Sequence, residues 1–468
     1  MSIERAAGIV VLAALLLGCD SSRAASPGPR SPTGKGDTPI ANCDEVPCTG
    51  VIAGARYEIK LPVRWNGTLL LWSHGYRQSV PIPRNGKFES VPESAPSPEA
   101  AKILLAQGYA LAGSAYARDG WAVIDGVTAG EQLHSWFVTM IGKPRRTYVW
   151  GASLGGLITQ TLAEKHPDWV SGAAPVCGVL AGANLTLDLA LDVAYAVKTL
   201  VYPQLKLARY SSAEEARAYF NAAFKAISAA RQDPREGVSK ILLIAGLVDA
   251  PTTSDDDDGH DLASRLNAIV LALVTAMLYS TEVRRDVEQR AGGNPSTNIV
   301  TDYSARVTAA EAAASEALSP GSVNRALALL AQGQRVTADP AARTAADGLG
   351  NPTGILHGPT VTLHTIADPL VVVQNESVFR SRVAAAAGAG TAKLLQLYTK
   401  PPERYTKATY GAGHCSFTTR EWTGVVNLLD MMVRQGTRPP AADITKAFDG
   451  DLRLALDYVA PPWPATLD

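Results

Sequence analysis

The stretch YVWGASLGGLITQ, residues Tyr148 to Gln160, sets Ser153 between Gly151 and Gly155, at the end of one apolar run and the start of another. In G-x-S-x-G a strand turns sharply into a helix; the flanking glycines leave room for that strained turn and the serine hydroxyl stands at its apex. In a chain with 40 glycines the pattern alone recurs by accident, so its setting decides. TYVWG before it reads as a strand. LGGLITQTLAEKH after it reads as a helix with Leu154, Leu157, Ile158 and Leu162 on one face, and Gly156 allows that helix to pack closely on a sheet.

On either side the same alternation repeats. VIAGARYEIKLP, within residues 50–62, alternates apolar and polar residues around an Ala-Gly turn, as an antiparallel hairpin does. TLLLWSHG, YALAGSAY and SGAAPVCGV read as buried strands, while SPEAAKILLAQG and GVTAGEQLHSWFVTMIG read as helices. Strands alternating with helices and apolar throughout predict a mostly parallel sheet covered on both faces, an α/β architecture. Between residues 181 and 353 the alternation gives way to Ala-rich helical segments, the pattern of an inserted helical domain. Its run Ile269 to Leu278 is about half a membrane span and predicts a buried helix or the apolar wall of a cleft. Strand-like TVTLHTIADP and KLLQLYTK follow, with a last helix after His414. The organisation is therefore 1–18 signal, 19–40 tether, 41–180 first part of the core, 181–353 helical insertion and 354–468 second part of the core.

The ends and the composition give an address. With 43 basic against 44 acidic residues and a net charge of −1, nothing points to a nucleic-acid partner. MSIERAAGIVVLAALLLGCD has Arg5, a short apolar stretch and a small residue before Cys19; it resembles a bacterial lipobox, in which the signal is cut before a lipidated cysteine. The alternative is a plain secretory signal. SSRAASPGPRSPTGKGD reads as a flexible tether, so the domain folds outside the cytoplasm, as an envelope lipoprotein anchored to a membrane or as a secreted protein. Beyond Cys19 four cysteines remain: Cys43, Cys48, Cys177 and Cys415, an even number in an oxidising compartment. Three pairings can be drawn, and Cys43 and Cys48 are close enough to close a small loop.

A serine hydroxyl is a poor nucleophile until a histidine takes its proton, and that imidazole needs a carboxylate to hold its tautomer. Both should follow in the order Ser, Asp, His. LHTIADPLVVVQNE puts Asp368 just beyond a strand, and YGAGHCSF puts His414 in a Gly-rich loop after another strand, leaving room for a helix and a strand between them. For Asp368 in isolation the simpler reading is a helix cap or a turn former. Glu376 is a rival acid that falls within the following helix. His134 and His166 lie on predicted helices, and His364 is most simply a strand residue. The oxyanion needs two donors, and Leu154 N–H, at the start of the helix after the serine, is one.

Together LLLWSHGYR, GASLGG, the acid loop at Asp368 and GHCSF at His414 resemble the α/β-hydrolase superfamily over about residues 50 to 435. The resemblance implies an eight-stranded, mostly parallel sheet with residues 181–353 as a lid between the sixth and seventh strands. It implies the Tyr76 amide as the second oxyanion donor, with Gly75 as the fallback, and a loop-holding rather than a titrating part for His74. WNGTLLLWSHGY and HCSFT look like a secreted bacterial ester-hydrolase group. The His-Cys pair is also similar to tannases and feruloyl esterases, whose cysteine beside the histidine bonds a cysteine beside the serine; this chain departs from them with Ala152 before Ser153. In such a fold the histidine loop passes the end of the sixth strand, where Cys177 sits. A Cys177–Cys415 disulfide is the expectation, with two separate buried thiols as the alternative.

Asp255 to Asp258 do not fit an EF-hand register, because Arg265 would take the closing acidic position; a solvated acidic loop is the expectation. Asn184-Leu185-Thr186 is read as a chance match to a glycosylation acceptor. No cofactor or metal is implied. The reading is an exported serine hydrolase of carboxylic esters, its helical lid pointing to an acyl or aromatic moiety in the substrate. A peptidase with the same constellation and a noncatalytic envelope-binding lipoprotein are the rivals. Oligomeric state is not written in the sequence.

Overall fold

The computed structural model describes residues 48–78, 90–386, 390–401, 412–450 and 453–464. The signal and tether assigned to residues 1–40, with Cys19, lie outside the described residues, as does Cys43.

The sheet has eight strands in the order β1-β2-β4-β3-β5-β6-β7-β8. They are β1 (Cys48–Ile52), β2 (Ala55–Lys60), β3 (Thr68–Ser73), β4 (Ala110–Ser114), β5 (Arg146–Ala152), β6 (Val170–Val176), β7 (Thr360–Thr365) and β8 (Leu394–Thr399). The β1–β2 hairpin is antiparallel, turning through Ala53 and Gly54, both at positive φ, the geometry that matches strand twist. β2 pairs antiparallel with β4, and from β4 to β8 every pairing is parallel. An eight-stranded sheet in this order, with one hairpin at its edge, is the α/β-hydrolase fold.

Burial on both faces follows from the strand sequences. In β3, Leu69 and Leu71 enter one core cluster while Leu70 and Trp72 enter another; in β5, Val149 opposes Tyr148 and Trp150 in the same way. Helices α1 (Pro98–Ala106), α2 (Val123–Met140) and α3 (Leu154–Lys165) connect the first strands. Trp72, Trp150 and Trp422 meet edge to face, Trp72 and Trp150 with ring centroids 4.7 Å apart, beneath the helix that follows the histidine loop.

Between β6 and β7 lie eight helices: α4 (Gly182–Leu200), α5 (Ala213–Gln232), α6 (Glu236–Leu247), α7 (Leu262–Leu278), α8 (Arg284–Ala291), α9 (Ala309–Leu318), α10 (Ser322–Gln332) and α11 (Pro340–Asp347). A π turn, Tyr279–Val283, joins α7 to α8 without a break. Leu262–Ala291 is thus 30 residues, long and apolar enough to cross a membrane, and half of its apolar window is buried in the protein. Leu266, Ile269, Leu273 and Met277 pack in the insertion's own core. Arg290 fastens this insertion to the sheet domain, bonding Asp125 at 3.0 Å and the Asp119 carbonyl at 2.8 Å, and is steadied on its own helix by Asp286 at 3.1 Å. Helices α12 (Asn375–Ala386), α13 (Thr419–Gln435) and α14 (Ala441–Ala447) complete the described chain.

Candidate active site

Ser153 sits at φ 59°, ψ −124°, between the end of β5 and the start of α3. A non-glycine residue there carries strain of about 1–3 kcal/mol, which the surroundings must hold. They do so through backbone. Ser153 N–H donates to the Val176 carbonyl at 3.1 Å, and its own carbonyl accepts from Gly156 N–H at 2.9 Å. The three glycines are each dictated by close approach. A Cβ on Gly151 would lie 2.5 Å from the Ser73 carbonyl oxygen, one on Gly155 would run into that same oxygen and lie 2.6 Å from the His74 oxygen, and one on Gly156 would lie 2.7 Å from Gly178 Cα.

The sequence-predicted partners converge on the serine. Ser153 Oγ donates to His414 Nε2 at 2.8 Å, and His414 Nδ1–H donates to Asp368 Oδ2 at 2.8 Å and Oδ1 at 3.0 Å. The carboxylate on Nδ1 fixes the tautomer, leaving Nε2 as the acceptor facing the hydroxyl. Asp368 is fully buried while His414 keeps a fifth of its side chain exposed. Asp368 Oδ1 also accepts from the N–H groups of Leu370 and Val371, both at 2.9 Å, so the loop after β7 closes around its own acid.

Leu154 is the first residue of α3, where an N–H has no acceptor within the helix. Gly75 backs onto the serine: a Cβ there would lie 3.2 Å from Ser153 Cβ and 3.7 Å from Oγ, which brings the Gly75–Tyr76 backbone to the hydroxyl. His74 is buried, stacks on Tyr116 at 3.9 Å, and its Nδ1–H donates to the Gly75 carbonyl at 2.7 Å. Burial, aided by the charge of Arg77, pulls its imidazole down to about 3, so it stays neutral. The Tyr76 phenol turns toward the insertion, where burial and the carboxylates of Asp286 and Glu282 push its ionisation upward.

A disulfide joins Cys177, directly after β6, to Cys415, directly after His414, with Cα atoms 5.6 Å apart. Both cysteines have positive φ, 43° and 53°. The sulfur of Cys415 lies 3.4 Å from His414 Nε2. Cys48 is also disulfide-bonded; Cys43, the partner expected for it, is outside the described residues.

Two features escaped the sequence reading. Asp255, expected in a solvated loop, reaches from the insertion to the histidine loop, where its Oδ2 accepts from Ser416 Oγ at 2.7 Å. Gly413 lies against that carboxylate; a Cβ there would sit 2.8 Å from Asp255 Cγ. A run of four aspartates reads as solvated because nothing local says which one turns inward. Behind Asp368, meanwhile, His364 and Glu376 meet in the core, both fully buried. The signal was available in β7: TVTLHT alternates polar and apolar residues in a strand covered on both faces, and a buried polar row needs a partner.

An apolar cavity of ≈ 50 Å³ runs between the insertion and the acid loop, with Val193, Leu273, Ala276 and Tyr279 on one side and Leu370 and Val372 on the other. Val179, also in its wall, donates its N–H to the Ser153 carbonyl at 3.4 Å. Among the described residues no group of three or more His, Cys, Asp or Glu side chains is placed to hold a metal ion.

No family model and no curated protein matches this chain. Solved structures do. An esterase from Aspergillus oryzae aligns at 13% identity over 84% of this chain and 80% of its own, with a TM-score of 0.37. A rice cell wall degrading esterase from Xanthomonas oryzae aligns at 13% identity over 75% of this chain and 82% of its own, with a TM-score of 0.36. Proline iminopeptidase from Mycobacterium smegmatis aligns at 12% identity over 86% of this chain and 98% of its own, with a TM-score of 0.32. Likenesses this loose say nothing of substrate, and the fold stands on the strand order.

Proposed function

We propose that this protein is an exported serine hydrolase that cleaves carboxylic esters through an acyl-enzyme. The observation that carries the reading is the continuous hydrogen-bonded line from Ser153 Oγ through His414 to buried Asp368, at 2.8 Å on each side of the imidazole. His414 Nε2 takes the serine proton as Oγ attacks the ester carbonyl, and Asp368 stabilises the imidazolium that forms. The amides of Leu154 and Tyr76 receive the oxyanion. The imidazolium protonates the leaving alcohol; His414 then deprotonates water, which attacks the acyl group and frees Ser153.

The insertion acts in this reading as a lid, and the cavity beside the acid loop takes the apolar part of the substrate. An envelope lipoprotein held by a lipid on Cys19 fits the N-terminal sequence, and a disulfide beside the histidine fits folding in an oxidising compartment. The experiment is a panel of p-nitrophenyl esters of increasing acyl length run against aminoacyl p-nitroanilides. Ester turnover that rises with chain length supports the proposal; dominant anilide turnover replaces it with a peptidase.

A further inference from the structure

Counting from the serine, five consecutive groups line up into the core, two more than the proposed chemistry needs. His364, on β7, has both ring nitrogens engaged. Its Nε2 lies 2.7 Å from the Val371 carbonyl and 3.6 Å from Asp368 Oδ2, and its Nδ1 lies 3.3 Å from Glu376 Oε1. All three side chains are completely buried.

Hydrogen bonds and charge balance together point to the protonation states. A carbonyl oxygen only accepts, so Nε2 carries a proton. Glu376 Oε2 receives the Thr362 hydroxyl at 2.7 Å and the Gln396 amide at 2.6 Å, two donors that favour the carboxylate form, in which Nδ1 donates to Oε1. An imidazole that donates from both nitrogens is an imidazolium. Charge balance agrees, because two fully buried carboxylates without a cation between them would cost several kcal/mol of desolvation. Burial alone pulls the His364 imidazole down, but Glu376, Asp368 and the Val371 carbonyl outweigh it and raise it above its ordinary value.

The neighbouring ionisable groups leave this charge in place. The Tyr279 phenol faces Asp368 and the Tyr398 phenol faces Glu376, and burial keeps both neutral. Arg380, one turn beyond Glu376 on α12, turns instead to Gln396 Oε1 at 3.3 Å and the Ala460 carbonyl at 3.2 Å. On the far side of Asp368 stands His414 itself.

We infer that His364 is a permanently protonated counter-ion, held by Glu376, that keeps Asp368 ionised and aimed at His414. It is a positioning residue for the proposed hydrolysis, on which the kinetic part of this inference rests. It acts by two routes. Its charge sits beside Asp368, and its Nε2–H holds the Val371 carbonyl while the N–H of the same residue grips Asp368 Oδ1. Without it, the Asp368 carboxylate is uncompensated on its inner side and the Asp368–His414 pair holds its shared proton more tightly, which moves the acid limb of the rate profile to higher pH.

The test uses the full chain, His364→Gln, and a second variant, His364→Gln with Glu376→Gln, which removes both charges and keeps the buried pair neutral if the single variant folds poorly. The acid limb of the pH profile of kcat/KM should move to higher pH by about 1 unit in His364→Gln, and in the same direction by less in the double variant, where the opposing Glu376 charge is gone too, with kcat reduced and KM little changed. A merely structural role would lower activity at every pH and leave the limb where it was, which overturns the inference. Long-range 15N–1H NMR of histidine-labelled protein reads the charge without any turnover. One imidazolium should persist at pH 8 and vanish in His364→Gln; a neutral His364 at that pH overturns the inference even if Ser153 proves to be the nucleophile. If the protein turns over no ester, the same spectrum still decides the charge, so the two failures are told apart.

Discussion

Replacing both Cys177 and Cys415 by serine sets two large effects against each other. The bridge spans 238 residues of chain, and the chain-entropy estimate for closing a loop of that length is about 5 kcal/mol. Against it stands the conformation in which the bridge forms: both cysteines sit at positive φ, each at a cost of about 1–3 kcal/mol. Removing the bond frees the unfolded chain but also lets both residues relax, so the two effects largely cancel. Thermal unfolding should shift by no more than about 5 °C. Activity has no such compensation, because relaxation of Cys415 moves the residue next to it, and a displacement of about 1 Å at His414 costs roughly 100-fold in kcat/KM. Glycine accepts positive φ without strain, so Cys177→Gly with Cys415→Gly should regain part of the lost rate. The assays are calorimetry and ester hydrolysis on the same preparations. A fall in Tm beyond about 10 °C with kcat/KM of the folded protein unchanged would refute the reasoning, making the bridge a staple for the chain rather than a restraint on the histidine.

Other outcomes follow from single contacts. Asp255→Ala removes the acceptor for Ser416 Oγ and should lower kcat about three- to tenfold, the worth of one hydrogen bond, with thermal stability nearly unchanged; Asp255→Asn, which keeps an acceptor, should recover most of the rate. Gly155→Ala drives a methyl into the Ser73 and His74 carbonyl oxygens and should destabilise the fold by about 3 kcal/mol, read as a drop in the urea midpoint. Ala276→Phe fills the cavity beside the acid loop and should cut kcat/KM for octanoate esters about tenfold while leaving acetate esters within about twofold. His74, held down to about 3 mainly by burial, refuses a proton that the unfolded chain accepts near pH 6.5. Its contribution to stability is complete above that pH and is lost as pH falls toward 3, roughly 2 kcal/mol between pH 7 and pH 5. Urea unfolding at the two pH values should show that loss, and His74→Gln should flatten it.

The serine turn was legible because its requirements are local. Gly151, Gly155 and Gly156 are each forced by backbone oxygen or carbon within reach of a Cβ, and such close approach leaves a sequence pattern. The places of Asp368 and His414 were legible from order, each lying in the loop after a strand. What was not legible depends on distant packing. Nothing near Glu376 in sequence announces that its side chain turns onto His364, although the buried polar row of β7 called for a partner, and the Asp255 contact spans 161 residues. The helical insertion hid its internal arrangement for a further reason: an Ala-rich helix such as α9 presents little that distinguishes one face from another. The π turn at Tyr279 breaks no hydrophobic pattern and was visible only in the structure, whereas residues 261–290 already read as one helical segment, as the continuous Leu262–Ala291 helix has it.

Treatment with a fluorophosphonate, followed by peptide mapping by mass spectrometry, addresses the nucleophile directly, since the reagent bonds only a serine that a neighbouring base has activated. The wild-type chain should carry one adduct, on Ser153, and both Ser153→Ala and His414→Ala should carry none. An unlabelled wild type, or an adduct at another residue that persists in Ser153→Ala, would contradict the account.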